Sequence, residues 1–343
     1  HGHSLCILGD YVAVVGSAGG HEFLALLDRE TGEVIRTWKG SRGVITDCLS
    51  LGNRLYVTGS AVYIFDKALN IISKITGLYI SIASNEKEIY LGTMYLEDAD
   101  GDGEIESFWR IEKHNFTLNL MDYKHFSLEK KYWKFSDIYY NLAINPANGD
   151  LWAVGNFVDR GRKPHSLLTI FDINLRVKRA IDYPEDAWQY IGRPRGICFD
   201  EVGHAYVVGE GIAKFDKSGG VVAVNKVVHG IKIACIGNKL YVFSDPKIGR
   251  YHRHVLYVLD RELNLIDEIV LSKVQTNCNF NFGRPAFDGR RLYVAGDDYA
   301  LGISRIVVYA IDVATSKPPA AKPSVSTIQT SAVPATAPLP ISV

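Results

Sequence analysis

The stretch LGNRLYVTGSAVYIFDKALNIISKITG, residues 51–77, decides how the rest of the chain is read. It opens on a polar turn, Gly52-Asn53-Arg54, and continues into Leu55-Tyr56-Val57-Thr58, closed by Gly59. A second apolar run, Val62-Tyr63-Ile64-Phe65, ends at Asp66, and after a turn a third run covers residues 71–75. Short β-branched and aromatic runs separated by turn residues specify strands rather than helices. A sheet this small cannot bury both of its faces alone, so the unit needs neighbours of its own kind.

The chain supplies them. The run that closes on Gly59 recurs at 11–16, 89–92, 151–155, 205–209, 240–244 and 292–296, and six of the seven copies end in glycine. The acid that ends the next strand recurs as Asp28, Asp66, Glu112, Asp172, Asp216, Asp260 and Asp312, at intervals of 38, 46, 60, 44, 44 and 52 residues. That is close to the ~40–50-residue period of a four-stranded propeller blade. The expected fold is all-β: a seven-bladed β-propeller of four-stranded blades over residues 1–313, then an extended Pro/Ser/Thr/Ala-rich tail over 314–343. Each acid precedes a turn, as in DRETGE, DKALN and DKSGG, where a carboxylate accepts N–H bonds two residues on and holds the hairpin. The blades are expected at about 4–40, 44–77, 78–126, 127–184, 185–230, 231–275 and 276–313. Blade 7 has no obvious fourth strand, because the chain turns proline-rich after Asp312 and proline suits only the edge of a ladder. The N-terminal end, residues upstream of it, or the tail near 324–330 are its candidate sources.

Composition narrows the function classes. Hydrophobic residues make up 47% of the 343 and aromatics 11%, which supplies a core and excludes a disordered chain. Lys+Arg and Asp+Glu number 38 each, and no basic cluster stands out, which argues against nucleic acid as a partner. No apolar run is long enough to span a bilayer, so a membrane would be met only through an anchor outside this chain. The five cysteines, Cys6, Cys48, Cys198, Cys235 and Cys278, include no CxxC pair. Four of them fall just before the polar turn of a repeat, and the expectation is core thiols packed as small hydrophobes. No Ser/His/Asp or Cys/His arrangement and no glycine-rich phosphate loop is visible.

Two blades resemble known repeats. Arg193-Pro194-Arg195-Gly196-Ile197-Cys198-Phe199-Asp200, followed by Gly203-His204-Ala205-Tyr206-Val207 and Lys214-Phe215-Asp216, resembles an NHL repeat. Leu27-Asp28-Arg29-Glu30-Thr31-Gly32-Glu33-Val34 is similar to the repeat of quinoprotein propellers, with the expected tryptophan displaced to Trp38. Each likeness covers about one blade and implies a propeller without carrying over any functional residue.

The sharpest motif lies in blade 3: Asp98-Ala99-Asp100-Gly101-Asp102-Gly103-Glu104-Ile105-Glu106. Acids at positions 1, 3 and 5, glycine at 6 and a backbone carbonyl at 7 are how a short loop wraps Ca²⁺ with oxygen ligands. An EF-hand needs glutamate at position 12, where Trp109 stands, so that reading is excluded. The spacing resembles the DxDxDGxxD calcium hairpins of integrin α-chain propellers, with Glu106 where that family has Asp. The resemblance implies Ca²⁺ held by Asp98, Asp100, Asp102, Glu104 and Glu106 in a structural role. Five carboxylates in nine residues repel one another without a cation.

Other candidates are weaker. His252 and His254 have the spacing that puts both imidazoles on one strand face, and a surface pair is the expected reading over a zinc site. Arg193 and Arg284 occupy matched Gly-Arg-Pro positions before the innermost strands of blades 5 and 7. With Arg195, Tyr139 and Tyr140 they are candidates for an anionic ligand in the central channel. Asn115-Phe116-Thr117 is an N-glycosylation acceptor, and the Thr/Pro tail reads as a stalk. The expectation from sequence is a non-catalytic, secreted or surface-anchored module binding proteins or glycans through its loop faces. The alternatives are a lyase- or lactonase-type propeller enzyme and a lattice subunit that assembles through its tail.

Overall fold

The computed structural model describes residues 2–85, 87–97, 106–126, 132–134, 141–159, 164–182, 191–192, 194–248, 251–271, 284–298 and 305–313. It is a seven-bladed β-propeller of antiparallel sheets in chain order. Blade 1 comprises Gly2–Leu8, Tyr11–Ala18, His21–Asp28 and Val34–Arg42; blade 2 Ile45–Leu51, Arg54–Gly59, Ala61–Phe65 and Ile71–Thr76. Blade 3 comprises Tyr79–Ser84, Ile89–Glu97, Glu106–His114 and Leu120–Phe126. Blade 4 comprises Asn141–Ile144, Leu151–Asp159, Pro164–Phe171 and Val177–Asp182, with Tyr132–Lys134 extending its first rank beside the same second strand. Blade 5 comprises Gly196–Phe199, Ala205–Val208, Ile212–Phe215 and Val221–Asn225; blade 6 Lys232–Ile236, Lys239–Ser244, Val255–Asp260 and Leu265–Val270. Blade 7 shows Ala286–Phe287, Arg291–Asp298 and Arg305–Asp312 among the described residues.

Burial is deepest in the middle strands of the blades and shallower in the innermost ones. Ala61–Phe65 and Ala205–Val208 are buried along their whole length, because blades press on both of their faces. The fourth strands, such as Val34–Arg42 and Leu265–Val270, are largely exposed and form the rim. Between blades 1 and 2, Leu24, Leu26, Leu55, Val57, Tyr63 and Phe65 form one apolar seam, and Trp38 packs edge-on to Tyr63 and Phe65 at 5.3 and 5.0 Å. The recurring glycine has a local cause in blade 2: a Cβ on Gly59 would stand 2.0 Å from the Val44 carbonyl oxygen.

The ring closes by packing. Leu5, Val12, Val14 and Leu27 of blade 1 share a buried cluster with Tyr293, Ala295, Ile306 and Val308 of blade 7. Outside that cluster Arg29 pairs with Asp288 at 3.5 Å, and Arg291 pairs with Glu30 at 3.4 Å. The N-terminal residues do not complete blade 7, since Gly2–Leu8 is the innermost strand of blade 1.

The turn acids hold their hairpins as the spacing predicts. Asp66 Oδ1 accepts the N–H groups of Ala68 and Asn70 at 2.8 Å each, and Asp172, Asp216 and Asp260 do the same in their blades. One member of the series is corrected. In blade 3 the acceptor is Asn115, which takes N–H bonds from Thr117 and Asn119, whereas Glu112 is buried inside its strand. Asp312 accepts from the Arg291 guanidinium, and the turn that follows it lies outside the described residues. These loops share a second feature. Leu69, Leu118, Leu175 and Leu263 stand at φ between 57° and 67°, each three residues after the acceptor. A left-handed leucine is costly, and burial of all four side chains opposes that cost.

The cysteine expectation is also corrected. Cys198 and Cys235 form a disulfide that joins the innermost strands of blades 5 and 6. Cys6 and Cys48 are the buried thiols the sequence leads one to expect, facing each other in the seam of blades 1 and 2. Burial pushes the Cys48 thiol well up, and its hydrogen bond with Cys6 pushes the same way.

Candidate functional site in the central channel

Each blade sends one polar residue from its innermost strand, or from the turn before it, toward the axis. In order these are Ser4, Asp47, Ser81, Asn141, Arg195, Lys232 and Arg284. Alternation along a strand places every second residue on the same side, and the polar residue of each first strand is the one left facing the channel when its neighbours enter the seams. Asp47 is the hub of one side. Its carboxylate accepts from Ser4 Oγ at 2.8 Å, Ser81 Oγ at 3.2 Å and the N–H groups of Cys48 and Ile82. It also lies 2.8 Å from Arg284 Nη2.

Arg284 spans the channel. It enters beside blade 1, where its backbone bridges Ser4 in parallel. Its guanidinium then reaches blades 2, 3 and 4, donating to the Ile82 carbonyl at 3.0 Å and the Leu142 carbonyl at 3.3 Å besides pairing with Asp47. A guanidinium offers five donors in a rigid fork, and here that fork ties four blades together.

The other side is built differently. Asn141 Nδ2 donates to the Arg195 carbonyl at 2.9 Å, and Lys232 Nζ donates to that same oxygen at 3.0 Å and to Asn141 Oδ1 at 3.4 Å. Gly196 lets blade 6 approach closely, since a Cβ there would lie 3.2 Å from Lys232 Cα. Burial pushes the Lys232 ammonium down to about 8; Arg284 and Arg195 act in the same direction, against the pull of Asp47. Arg195 also lines a cleft between blades 5 and 6 with Glu210, His229, Asp245 and Tyr257.

The structure thus brings Arg195 and Arg284 into the channel and adds Asp47 and Lys232, which the sequence reading missed. Arg193, Tyr139 and Tyr140 lie outside the described residues, as do Asp98, Asp100, Asp102 and Glu104 of the acidic loop. Glu106 begins the third strand of blade 3, directly opposite Glu97 in register. His252 ends a two-residue strand, whereas His254 is buried and shares a 2.7 Å hydrogen bond with Tyr309 of blade 7. His254 is therefore a core residue and not half of a surface pair. Among the described residues no group of three or more His, Cys, Asp or Glu converges as a metal site.

A second buried polar cluster lies in blade 3. Glu112 Oε2 stands 2.7 Å from His114 Nε2, accepts from Tyr79 at 3.1 Å, and its other oxygen lies 3.0 Å from Arg110. Burial acts to raise the Glu112 carboxyl, but His114, Arg110 and Tyr79 outweigh it and hold it below the usual range. With Glu112 bonded to His114 and Tyr79 and paired with Arg110 within its own blade, the cluster reads as structural.

Comparison with known proteins gives the fold and no closer kinship. No family model matches the chain, and no curated protein matches it. Among solved structures, a chain of the mitotic checkpoint complex superposes with a TM-score of 0.62 at 12% identity, over 91% of this chain and 90% of that one. The Pan2 WD40 domain of Neurospora crassa superposes with a TM-score of 0.58 at 11% identity, over 85% of each chain. The chain is a seven-bladed propeller with WD40-like structural neighbours.

Proposed function

We propose that the protein is a non-catalytic propeller, secreted or held at the cell surface, that binds protein or glycan partners across its loop faces. The observation that carries this reading is the channel itself. Arg284 crosses it and is bonded on blades 2, 3 and 4, so one of the protein's own side chains obstructs the axis. An enzyme of the lyase or lactonase type needs converging catalytic groups there, whereas broad loop faces suit a macromolecular partner. Both structural neighbours are propellers, one of them part of a multiprotein complex, which supports a scaffold role. The single-blade likenesses to NHL and quinoprotein repeats fit the same use.

The Cys198–Cys235 bond supports an oxidising compartment, because disulfides persist outside the reducing cytosol. Asn115 at the outer hairpin of blade 3 and the Thr/Pro tail agree with that location. In this reading Ca²⁺ binds the acidic hairpin of blade 3 through Asp98, Asp100, Asp102, Glu104 and Glu106. Thermal unfolding during a calcium titration tests the proposal. Calcium is expected to raise the melting temperature of the wild type and not that of Asp100→Ala. A wild type indifferent to calcium overturns the metal reading.

A further inference from the structure

The belt of channel residues carries three cations, Arg195, Lys232 and Arg284, and one carboxylate, Asp47. Asp47 is committed: it accepts four hydrogen bonds and pairs with Arg284. Lys232 is left with two neutral acceptors, the Arg195 carbonyl and the Asn141 amide oxygen. Among the described residues no carboxylate stands within ion-pair distance of its ammonium. Lys232 is partly buried, and an ammonium drawn out of water without a counter-charge beside it is costly.

We propose that the channel beside Lys232 is a binding site for one small oxyanion, a phosphate, sulfate or carboxylate group, which supplies the missing counter-charge. Lys232 Nζ has three donors, of which two are directed at the Asn141 and Arg195 oxygens, leaving one for the ligand. Asn141 and the Arg195 carbonyl fix the ammonium in place. Arg284 and Arg195 contribute positive potential, opposed by Asp47 across the channel. Arg284 crosses the axis, so the ligand is a small group and not a polymer threaded through the ring. Binding favours the charged amine, so the complex forms with uptake of protons where the free amine is partly deprotonated. This site is independent of the calcium hairpin and of the choice of macromolecular partner.

The test uses the full chain and inorganic phosphate, sulfate and acetate as probes, against chloride at constant ionic strength. Calorimetry is expected to give one site per chain at pH 7 for at least one probe. The oxyanion that binds separates a phosphate-type from a carboxylate-type ligand. Lys232→Met should weaken it about tenfold or more, as loss of a charge-assisted hydrogen bond does. Lys232→Arg should retain most of it. Titrating the wild type at pH 8 in two buffers of different ionisation enthalpy needs no variant and should show net proton uptake. Failure of every probe to bind at tens of millimolar (about a hundred times weaker than a built site of this kind) overturns the proposal. So does equal binding by Lys232→Met, or binding at pH 8 without proton uptake.

Discussion

The two sides of the channel hold the same kind of residue in opposite circumstances. On one side Arg284 reaches Asp47, Ser81 and two backbone carbonyls, and the charge is neutralised within 3 Å. On the other, Lys232 meets two neutral oxygens at hydrogen-bond distance, and the pull of Asp47 from across the channel is opposed by Arg284 and Arg195. A cation on an innermost strand is thus not a ligand site by virtue of its charge. What separates a fastening from a binding group is the inventory of acceptors around it. By that measure Arg284 belongs to the architecture, and Lys232 is the residue with capacity to spare.

The comparison is broken most severely by removing its anchor. Asp47→Ala leaves Arg284 without its acid and takes away the acceptor for four further donors. A loss of about 3 kcal/mol is expected from breaking such a pair, toward the lower end because the Arg284 side chain stays 28% exposed. Chemical denaturation measures it, and a loss below about 1 kcal/mol, the median for exposed pairs, would mean the pair fastens nothing.

Lys232→Met should act with the opposite sign. A lysine pushed down to about 8 binds fewer protons in the fold than in the unfolded chain until pH passes the ordinary value near 10.4. Its penalty is complete below pH 8 and is relieved as pH rises through that window. In chloride, Lys232→Met is expected to be more stable than wild type at pH 7 by on the order of 2 kcal/mol. That advantage should shrink at pH 9.5, near the upper part of the window. Paired melting curves decide it, and a difference independent of pH would remove Lys232 from the electrostatics of the fold. Smallest is Asn141→Ala, which deletes a 2.9 Å bond to the Arg195 carbonyl and a longer one to Lys232. The expected loss is about 1 kcal/mol. A much larger one would show Asn141, rather than Arg284, to be the organising residue of the belt.

The repeat was legible because strand and turn chemistry leave local marks. The glycine after Thr58 makes room for the chain entering its own blade at Val44, and the acid after Phe65 holds N–H groups within four residues of itself. Where another residue type does the same job, the mark is lost. Asn115 replaces an acid at its turn, and the nearby Glu112 drew the eye for its charge. The disulfide was hidden for a related reason. Cys198 and Cys235 meet because one faces the following blade and the other the preceding one, and sequence spacing alone does not fix which cysteines meet. The channel was half legible. Arg284 and Arg195 announced themselves beside Pro285 and Pro194, whereas Lys232, in GIKIACI, reads as an ordinary strand residue until six other blades surround it.

The closure between blades 7 and 1 bears on the order in which the molecule assembles. Blades 1 to 6 are each one unbroken stretch of chain, so their ladders join residues near in sequence. Ser4 and Arg284, by contrast, lie almost at opposite ends of the propeller and meet in one bridge. Contacts between distant residues must first overcome the entropy of closing a long loop, so they form late. The blade 1–blade 7 cluster and the reach of Arg284 to Asp47 are therefore expected to form last, which slowed refolding of a chain shortened at either end of the propeller would test.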